Sequence, residues 1–296
     1  MNQTFKNREE GKSEQPQEEK SFFAVIVHSF FVIPFLIAVF GLLLFTAITL
    51  LTREQQTVYD FLEDVKIGGA SKRWQAAFEL SKMLANPDLI PKEGRFIAEL
   101  INAFKHAQHD DNRVRQYLAL AMGRTGKNEF VQPLLEAVSI EKEENIPAII
   151  YALGMLKDNR AVPILKNFVT HQNARIRSVA VVALGVIGEP SSKEILKKAL
   201  NDPELNVQWG SALSLAQMGD DSGKKIIINL LNRKYLQSFS EVDQQEQNHI
   251  LLSTLEAAAF LHDSEIDLAI EKLAQDDVNM KIRSTAMKYM DNRHSK

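Results

Sequence analysis

The stretch ARIRSVAVVALGVIGEP, residues 174–190, decides the fold, because its small and apolar residues fit two structures. A buried strand ending at Gly185 and Gly188 would indicate a phosphate-binding loop, whereas a helix with this composition would pack against copies of itself. The apolar residues follow the helical spacing i, i+3, i+4, i+7, i+8 and i+11, from Ile176 to Ile187. The strand–GxxxxGK[ST]–helix context of a phosphate loop is absent. The stretch therefore predicts an amphipathic helix.

This helix belongs to a sequence repeat with an interval of 31 residues. Gly185 follows Gly154 and Gly123 at that interval, and Ala216 occupies the next marker position. Small residues stand two positions before each marker, and large apolar residues stand one position before it. More divergent units place at the marker position Ser81, Ala259 and Lys288. One helix pair cannot bury its own apolar stripe, so we expect about seven stacked pairs that share a continuous core.

The pattern V-R-x-x-A-x-x-A-L-G-x-I-G, here IRSVAVVALGVIG at residues 176–188, resembles HEAT-like repeats, especially the short variety named after the phycobilisome bilin lyases. The resemblance covers nearly all of residues 70–290. It implies an all-α, armadillo-like fold: a right-handed α-solenoid of about seven HEAT-like helix pairs. Most such arrays are interaction scaffolds, and a bilin-lyase-like protein that handles a chromophore or cofactor is the alternative. Similarity of fold alone does not transfer lyase chemistry.

Residues 22–51 contain no Asp, Glu, Lys or Arg and predict one transmembrane helix. A spanning helix needs about 20 apolar residues. The alternative, a cleaved signal peptide, has an apolar region of roughly 7–15 residues and a small-x-small cleavage site, which is missing here. We therefore assign residues 1–20 to a disordered polar tail, 21–52 to a transmembrane helix and 53–296 to the repeat solenoid.

The distribution of charged residues indicates the orientation in the membrane and limits the classes of partner. Residues 1–20 hold four Lys or Arg and residues 53–72 hold three, which favours a cytoplasmic N-terminus and a solenoid on the non-cytoplasmic side, as a single-pass protein of a bacterial inner membrane. The expected partners are the lipid bilayer, through residues 22–51, and membrane-associated proteins. With a formal net charge of −3 the chain lacks the basic footprint of nucleic-acid-binding proteins. The absence of cysteine excludes disulfides and thiolate metal sites.

Two pairs of arginines recur in register with the repeat. Arg113 and Arg175 stand ten positions before their markers, and Arg115 and Arg177 stand eight before. The second helix of each pair usually lines the concave face of an array, so Arg113 and Arg175 are predicted contacts for a carboxylate-rich partner. Arg115 and Arg177 could bind such a partner too, but for them we favour a ladder in which each arginine bonds an acidic side chain or a helix C-terminus of a neighbouring repeat. Its predicted acidic residues stand four positions after their markers: Asp158, Asp220 and Asp263.

Two insertions of about eleven and about twelve residues interrupt the repeat, near residues 85–96 and 232–247. Insertions in repeat arrays form loops that often lie on a binding face. The second insertion mixes basic and aromatic residues, as protein contacts do, although an ordinary surface loop is the alternative. The predicted contact residues are Arg233, Lys234, Tyr235 and Phe239.

Catalytic patterns are missing from the sequence, which has no catalytic triad, HExxH helix or nucleotide-binding loop. The segment HAQHDD, residues 106–111, offers possible metal ligands, but it lies between two predicted helices, where Asp110 or Asp111 more simply caps the second one. We therefore predict no catalytic, cofactor or metal site. The predicted function is a membrane-anchored scaffold for protein–protein interaction, an accessory or assembly factor of a membrane-associated complex, with lyase-type activity left open.

Overall fold

A computed structural model describes residue 26 and the ranges 28–52 and 56–294. The described residues form helices and turns without any strand, which confirms the all-α prediction. The chain divides into two units, one up to Gln55 and one from Gln56 onward. The polar tail predicted for residues 1–20 lies outside the described residues.

The first unit is a single apolar helix. A π-helical turn, His28–Val32, leads into α1, Ile33–Thr52. The segment Ser29–Thr49 is long and apolar enough to cross a membrane. The hydroxyls of Thr46 and Thr49 donate hydrogen bonds to backbone carbonyls four residues earlier. These two hydroxyls are thereby satisfied within the helix, as polar groups in an apolar environment must be.

The second unit is an array of helix pairs, in which the first helix of each pair is named A and the second B. The described residues contain seven pairs, which confirms the predicted number. A four-residue helix, α13 (Arg233–Leu236), lies inside the sixth pair. The pairs are α2 and α3 (Val58–Ile67, Ala70–Met83), α4 and α5 (Gly94–His106, Asn112–Arg124), α6 and α7 (Val131–Val138, Ile146–Leu156), α8 and α9 (Val162–Phe168, Ala174–Ile187), α10 and α11 (Lys193–Ala199, Leu205–Gln217), α12 and α14 (Lys224–Leu230, Gln244–Ala258), and α15 and α16 (Ser264–Asp276, Met280–His294).

The B helices of successive pairs touch at the marker residues. A β-carbon added to Gly123 in α5 would lie 2.7 Å from the Cα of Ala152 in α7, and one added to Gly154 would lie 3.0 Å from the Cα of Ala183 in α9. Gly185 makes the corresponding contact with α11. Each of these three markers therefore packs on the small residue that stands two positions before the next marker. This contact is the physical basis of the 31-residue repeat.

The two glycines of the opening stretch have different roles. Gly185 is buried inside α9, where it allows the next helix to approach. Gly188 ends the helix in the left-handed conformation, with φ of +73°. The same position, three residues after the marker, is left-handed at Gly126, Lys157 and Gly219. Lys157, with φ of +53°, is the one residue among these four left-handed positions that is not glycine.

The register predicted for the last pair is wrong by three residues. Arg283 in α16 donates a hydrogen bond to the carbonyl six residues earlier, that of Asp277, and Arg177 in α9 makes the same bond. Arg283 therefore occupies the position eight residues before the marker. The marker of the last pair is Asp291 rather than Lys288.

Candidate protein-binding face

A buried salt bridge joins the second helix pair to the third. Arg115 in α5 donates from its Nε to the Oε2 of Glu141 in the α6–α7 loop, at 2.8 Å, and these side chains are only 5% and 2% exposed. The guanidinium also donates to the carbonyl of Phe104 and lies over its ring. Burial raises the pKa of Glu141, but hydrogen bonds from Asn145 and Arg115 outweigh burial, so its pKa lies below the usual value.

The same bridge recurs in other pairs. Arg177 in α9 binds Asp202 in the α10–α11 loop through two bonds of 2.8 Å. Arg73 in α3 pairs with Asp110 in the α4–α5 loop. In each case the arginine of a B helix binds the loop inside the following pair. The ladder predicted for Arg115 and Arg177 is present, and both guanidinium groups form salt bridges within the fold.

The acidic residues predicted for the ladder are wrong. Asp158, Asp220 and Asp263 instead accept backbone N–H groups at the starts of the A helices. Asp158 pairs with Arg160 at 2.7 Å and Asp263 pairs with Lys224 at 2.6 Å. These aspartates follow the marker by four residues whereas the ladder arginines precede it by eight. The two groups therefore lie at opposite ends of a B helix, roughly 18 Å apart at 1.5 Å per residue.

Arg113 and Arg175 lie exposed at the N-terminal ends of α5 and α9. The guanidinium of Arg113 binds Asp111 at 2.6 Å and lies 4.5 Å from the centre of the Trp74 ring. The hydrogen bonds from Arg113 lower the pKa of Asp111 to about 2. Arg175 lines a small cleft that also contains Glu204. Among the described residues, Arg175 forms no ion pair. Their role as partner contacts stays a prediction.

The contact residues predicted in the second insertion are mostly engaged within the fold. Arg233 binds Asp277 through bonds of 2.8 and 2.9 Å. Tyr235 and Phe239 pack edge-on against each other, at 5.1 Å between ring centres, and both pack against the ring of Trp209. These contacts fix the insertion to α11. Of the four predicted residues, Lys234 has an exposed side chain, at the edge of a groove of about 650 Å³.

The B helices expose an apolar surface that the sequence analysis missed. The B-face stripe consists of the residues three positions before the first five markers: Phe78, Leu120, Tyr151, Val182 and Leu213. Tyr151 is 50% exposed and Val182 is 38% exposed, and the other three are partly buried. The 31-residue interval already contained the signal, because a helix position that faces only water is usually polar. The sixth and seventh pairs follow that rule with Glu256 and Lys288.

Contacts between neighbouring B helices extend this stripe at two of its four junctions. The ring of Phe78 packs edge-on against Tyr117 in the next B helix, at 5.1 Å between centres. A β-carbon added to Gly210 would lie 3.4 Å from the Cγ2 of Val182. Tyr117 and Gly210 both stand six positions before their markers, so Phe78 and Val182 meet the following helix at equivalent positions. The stripe thus places a partly or fully exposed apolar residue on each of five successive B helices.

The family model for HEAT repeats matches residues 97–185 and 166–237. Residues 97–237 carry HEAT repeats. This confirms the resemblance found in the marker columns, and the HEAT array of the structure extends beyond the matched residues at both ends. A search of curated protein sequences finds no match to this chain.

Solved structures resemble the HEAT array in fold. The complex of CpcE and CpcF of phycocyanin lyase from Nostoc sp. PCC7120 aligns with a TM-score of 0.57 at 19% identity, over 81% of this chain and 96% of that one. The archaeal HEAT-like repeats protein from Thermococcus onnurineus NA1 aligns with a TM-score of 0.43 at 17% identity, over 82% and 99%. Computationally designed armadillo repeat proteins align with a TM-score of 0.36 at 17% identity, over 78% and 97%. At these identities the likeness concerns the fold alone.

The HAQHDD segment of the HEAT array has a structural role. The Nδ1 of His106 lies 2.7 Å from the carbonyl oxygen of Asn102. Asp111 caps α5 by accepting the N–H of Arg113, which confirms the capping interpretation. Over the described residues, no group of three His, Asp or Glu side chains is placed to hold a metal ion.

Proposed function

We propose that this chain is a membrane-anchored HEAT-repeat scaffold whose B-face stripe binds a partner protein in a membrane-associated complex. The stripe is the observation that carries the proposal. Continuous exposed apolar surface is rare on soluble monomers and marks interaction sites. Tyr151 lies at its centre, and tyrosine is enriched in protein interfaces because its ring contributes contact area and its hydroxyl a hydrogen bond.

Exposed cations on this unit favour an acidic partner. Arg113 and Arg175 lie at the N-terminal ends of two of the same helices, and arginine binds carboxylates through paired hydrogen bonds. Lys234 adds an exposed cation in the insertion. The proposed partner therefore combines an apolar segment for the stripe with carboxylates for these side chains.

The apolar segment Ser29–Thr49 supports the membrane anchor of this proposal. An anchored scaffold acts as an accessory or assembly factor by holding partners near the bilayer. The chain has no cysteine, so Ser13→Cys and Ser295→Cys in separate chains give unambiguous labelling with a membrane-impermeant maleimide in intact cells. Labelling of Ser295→Cys alone supports a solenoid on the non-cytoplasmic side of a bacterial inner membrane. Labelling of Ser13→Cys alone reverses that orientation, and equal labelling of both before and after lysis contradicts a single span.

A matched pair of variants tests the role of the stripe. Tyr151→Lys/Val182→Lys charges the B-face stripe, and Gln132→Lys/Pro163→Lys places the same charges on exposed positions of the A helices α6 and α8. Each full chain is purified in mild detergent from its own cells, and the co-purifying proteins are quantified by mass spectrometry. We expect a membrane-associated partner that is retained by wild type and by the A-helix variant and is lost by the stripe variant. Equal recovery by both variants, with equal melting temperatures, would refute the stripe as the binding surface.

A second candidate function is a bilin-lyase-like protein that handles a chromophore. The solved complex of CpcE and CpcF of phycocyanin lyase motivates it through similarity of fold. Titration of the purified chain with a linear tetrapyrrole or with haem tests it. A saturable absorbance shift that disappears in the Tyr151→Lys/Val182→Lys variant supports this function, and the absence of any shift excludes it.

A further inference from the structure

The last helix pair exposes positions that are buried in every earlier pair. With Asp291 as its marker, Met287 stands four positions before the marker, and it is 50% exposed. The residues in this column in the six earlier pairs are all completely buried: Ala77, Ala119, Ile150, Val181, Ala212 and Leu255. Met290, one position before the marker, is also only partly buried, whereas the six earlier residues in its column are buried. In earlier pairs the following pair covers these columns.

An open groove of about 800 Å³ follows from this exposure. It lies between α15 and α16, and we name it the terminal groove. Its apolar lining includes Leu268, Met287 and Met290. Leu268 is 66% exposed, at a position on α15 that would be polar on a helix facing only water. Methionine adapts its shape to different apolar surfaces, which makes it common where proteins bind helices.

The first helix pair has a different outer face. The residues two positions before the marker face the preceding pair, and five of the later pairs carry Ala or Ser there. In α3 this position is Glu79, which forms an exposed salt bridge with Lys82 at 3.0 Å. End repeats of soluble arrays need such a polar outer face. The described outer face of α15 and α16 carries the apolar residues Leu268 and Met287 instead.

The charges of the terminal groove are mainly acidic. Among the described residues that line it, Asp267, Glu271 and Asp291 are acidic and Arg283 is basic. The guanidinium of Arg283 is engaged with the carbonyl of Asp277, at 2.5 Å. A second copy of this chain would bring the same carboxylates face to face, which costs binding energy. A ligand with apolar residues on one face and cations at its edges complements the groove.

We propose that the terminal groove binds a basic amphipathic helix of another protein. Apolar residues at i, i+3, i+4 and i+7 of that helix lie on Leu268, Met287 and Met290, in the place that a following helix takes in the earlier pairs. Its Lys or Arg residues meet Glu271 and Asp291. This site is separate from the B-face stripe, so the outcome of its test does not depend on the function proposed above.

Methyl NMR of the full chain tests the proposal at the level of single residues. The chain contains eight methionines, and their ¹³C-labelled methyl groups are assigned by single Met→Leu substitutions in phosphatidylcholine nanodiscs. The probe is a synthetic helix of about 18 residues, five turns, with leucines on one face and lysines elsewhere. Signals from Met287 and Met290 are expected to shift in a saturable way, while that of buried Met122 stays fixed. A probe of the same composition with its leucines dispersed around the helix corrects for binding to lipid.

Two sets of variants decide the outcome. Met287→Lys is expected to weaken binding at least about tenfold, while Met280→Lys, an exposed position on the same helix outside the groove, leaves it unchanged. Glu271→Lys/Asp291→Lys is expected to reject the lysine probe and to accept a probe with glutamates in place of the lysines. Equal shifts with the dispersed probe, equal binding to Met287→Lys, or a preference of wild type for the acidic probe would overturn the proposal. A dimer of the chain that Met287→Lys dissociates would also overturn it, since the groove would then hold a second copy.

Discussion

The backbones of α5 and α7 meet at Gly123 and Ala152, where an added β-carbon on Gly123 would lie 2.7 Å from the Cα of Ala152. Real side chains do not approach a backbone this closely, so the glycine is required by the separation of the helices. The contact repeats between Gly154 and Ala183. The spacing of the HEAT array is therefore set by a backbone contact rather than by large interlocking side chains.

We predict that Gly123→Ala destabilises the array although alanine favours helix. Overpacking of a filled contact costs about 1–3 kcal/mol, which exceeds the gain of up to about 1 kcal/mol from replacing a helical glycine. Urea unfolding of the full chain in detergent, followed by circular dichroism, measures the change. Gly94→Ala at the start of α4 is the control, because a β-carbon there meets nothing within 4 Å. The prediction fails if Gly123→Ala is as well tolerated as Gly94→Ala.

We predict that Lys157→Gly stabilises the chain by about 1 kcal/mol, because a left-handed conformation costs a residue with a β-carbon about 1–2 kcal/mol. The other three residues that are left-handed at this position of the repeat, Gly126, Gly188 and Gly219, are glycines. Lys157→Ala keeps the β-carbon and is expected to give no gain, which separates backbone strain from any effect of the lysine charge. Gly188→Ala is expected to lose about 1 kcal/mol at the equivalent position. Equal stability of Lys157→Gly and Lys157→Ala would contradict the strain argument.

The repeat could be predicted because its cause is local and periodic. A marker and the small residue two positions before it recur at fixed intervals, so Gly123, Gly154 and Gly185 reveal the stacking without coordinates. The prediction of Lys288 as the last marker is wrong. The motif IRS at residues 282–284 repeats IRS at 176–178 and places that marker at Asp291. The ladder arginines are periodic too and were found.

The partners of those arginines could not be predicted in the same way. Glu141 and Asp202 lie in loops of different length, 18 and 17 residues after the preceding markers, so they share no column. Tyr235 and Phe239 show a related limit, since aromatic composition is equally typical of a contact surface and of packing against Trp209. Composition alone does not distinguish buried residues from exposed ones. The polar or apolar character shared by equivalent positions of successive repeats does.

We predict that Arg115→Met destabilises the chain by about 3–5 kcal/mol, because it leaves the Glu141 carboxylate buried without its cation. Arg115→Met/Glu141→Leu is expected to recover part of this loss, since no charge then remains in the core. Arg113→Met, two residues away, removes only an exposed pair and is expected to leave the urea midpoint close to that of wild type. Urea midpoints of the three variants decide the matter, and similar values for Arg113→Met and Arg115→Met would contradict the structural ladder.

The Arg177–Asp202 pair predicts how stability depends on pH. Burial raises the pKa of Asp202, but the hydrogen bonds from Arg177 and from the backbone N–H of Glu204 outweigh it, so the folded-state pKa lies below the usual 3.8. The unfolded chain then takes up a proton before the folded chain does. The stability from this carboxylate is fully present above the unfolded value and is lost as the pH falls through 3.8 toward the folded pKa.

Asp202→Asn isolates this contribution. At pH 7 we expect wild type to be more stable than the variant by about 1–3 kcal/mol, the usual strength of a hydrogen bond between charged groups. The difference should stay constant down to about pH 5 and then shrink as the carboxylate is protonated in the unfolded state. Urea unfolding between pH 7 and pH 3 measures it, with Asp221→Asn, an exposed aspartate before α12, as the matched control. A difference that is independent of pH would show that Asp202 stabilises the array through its shape rather than its charge.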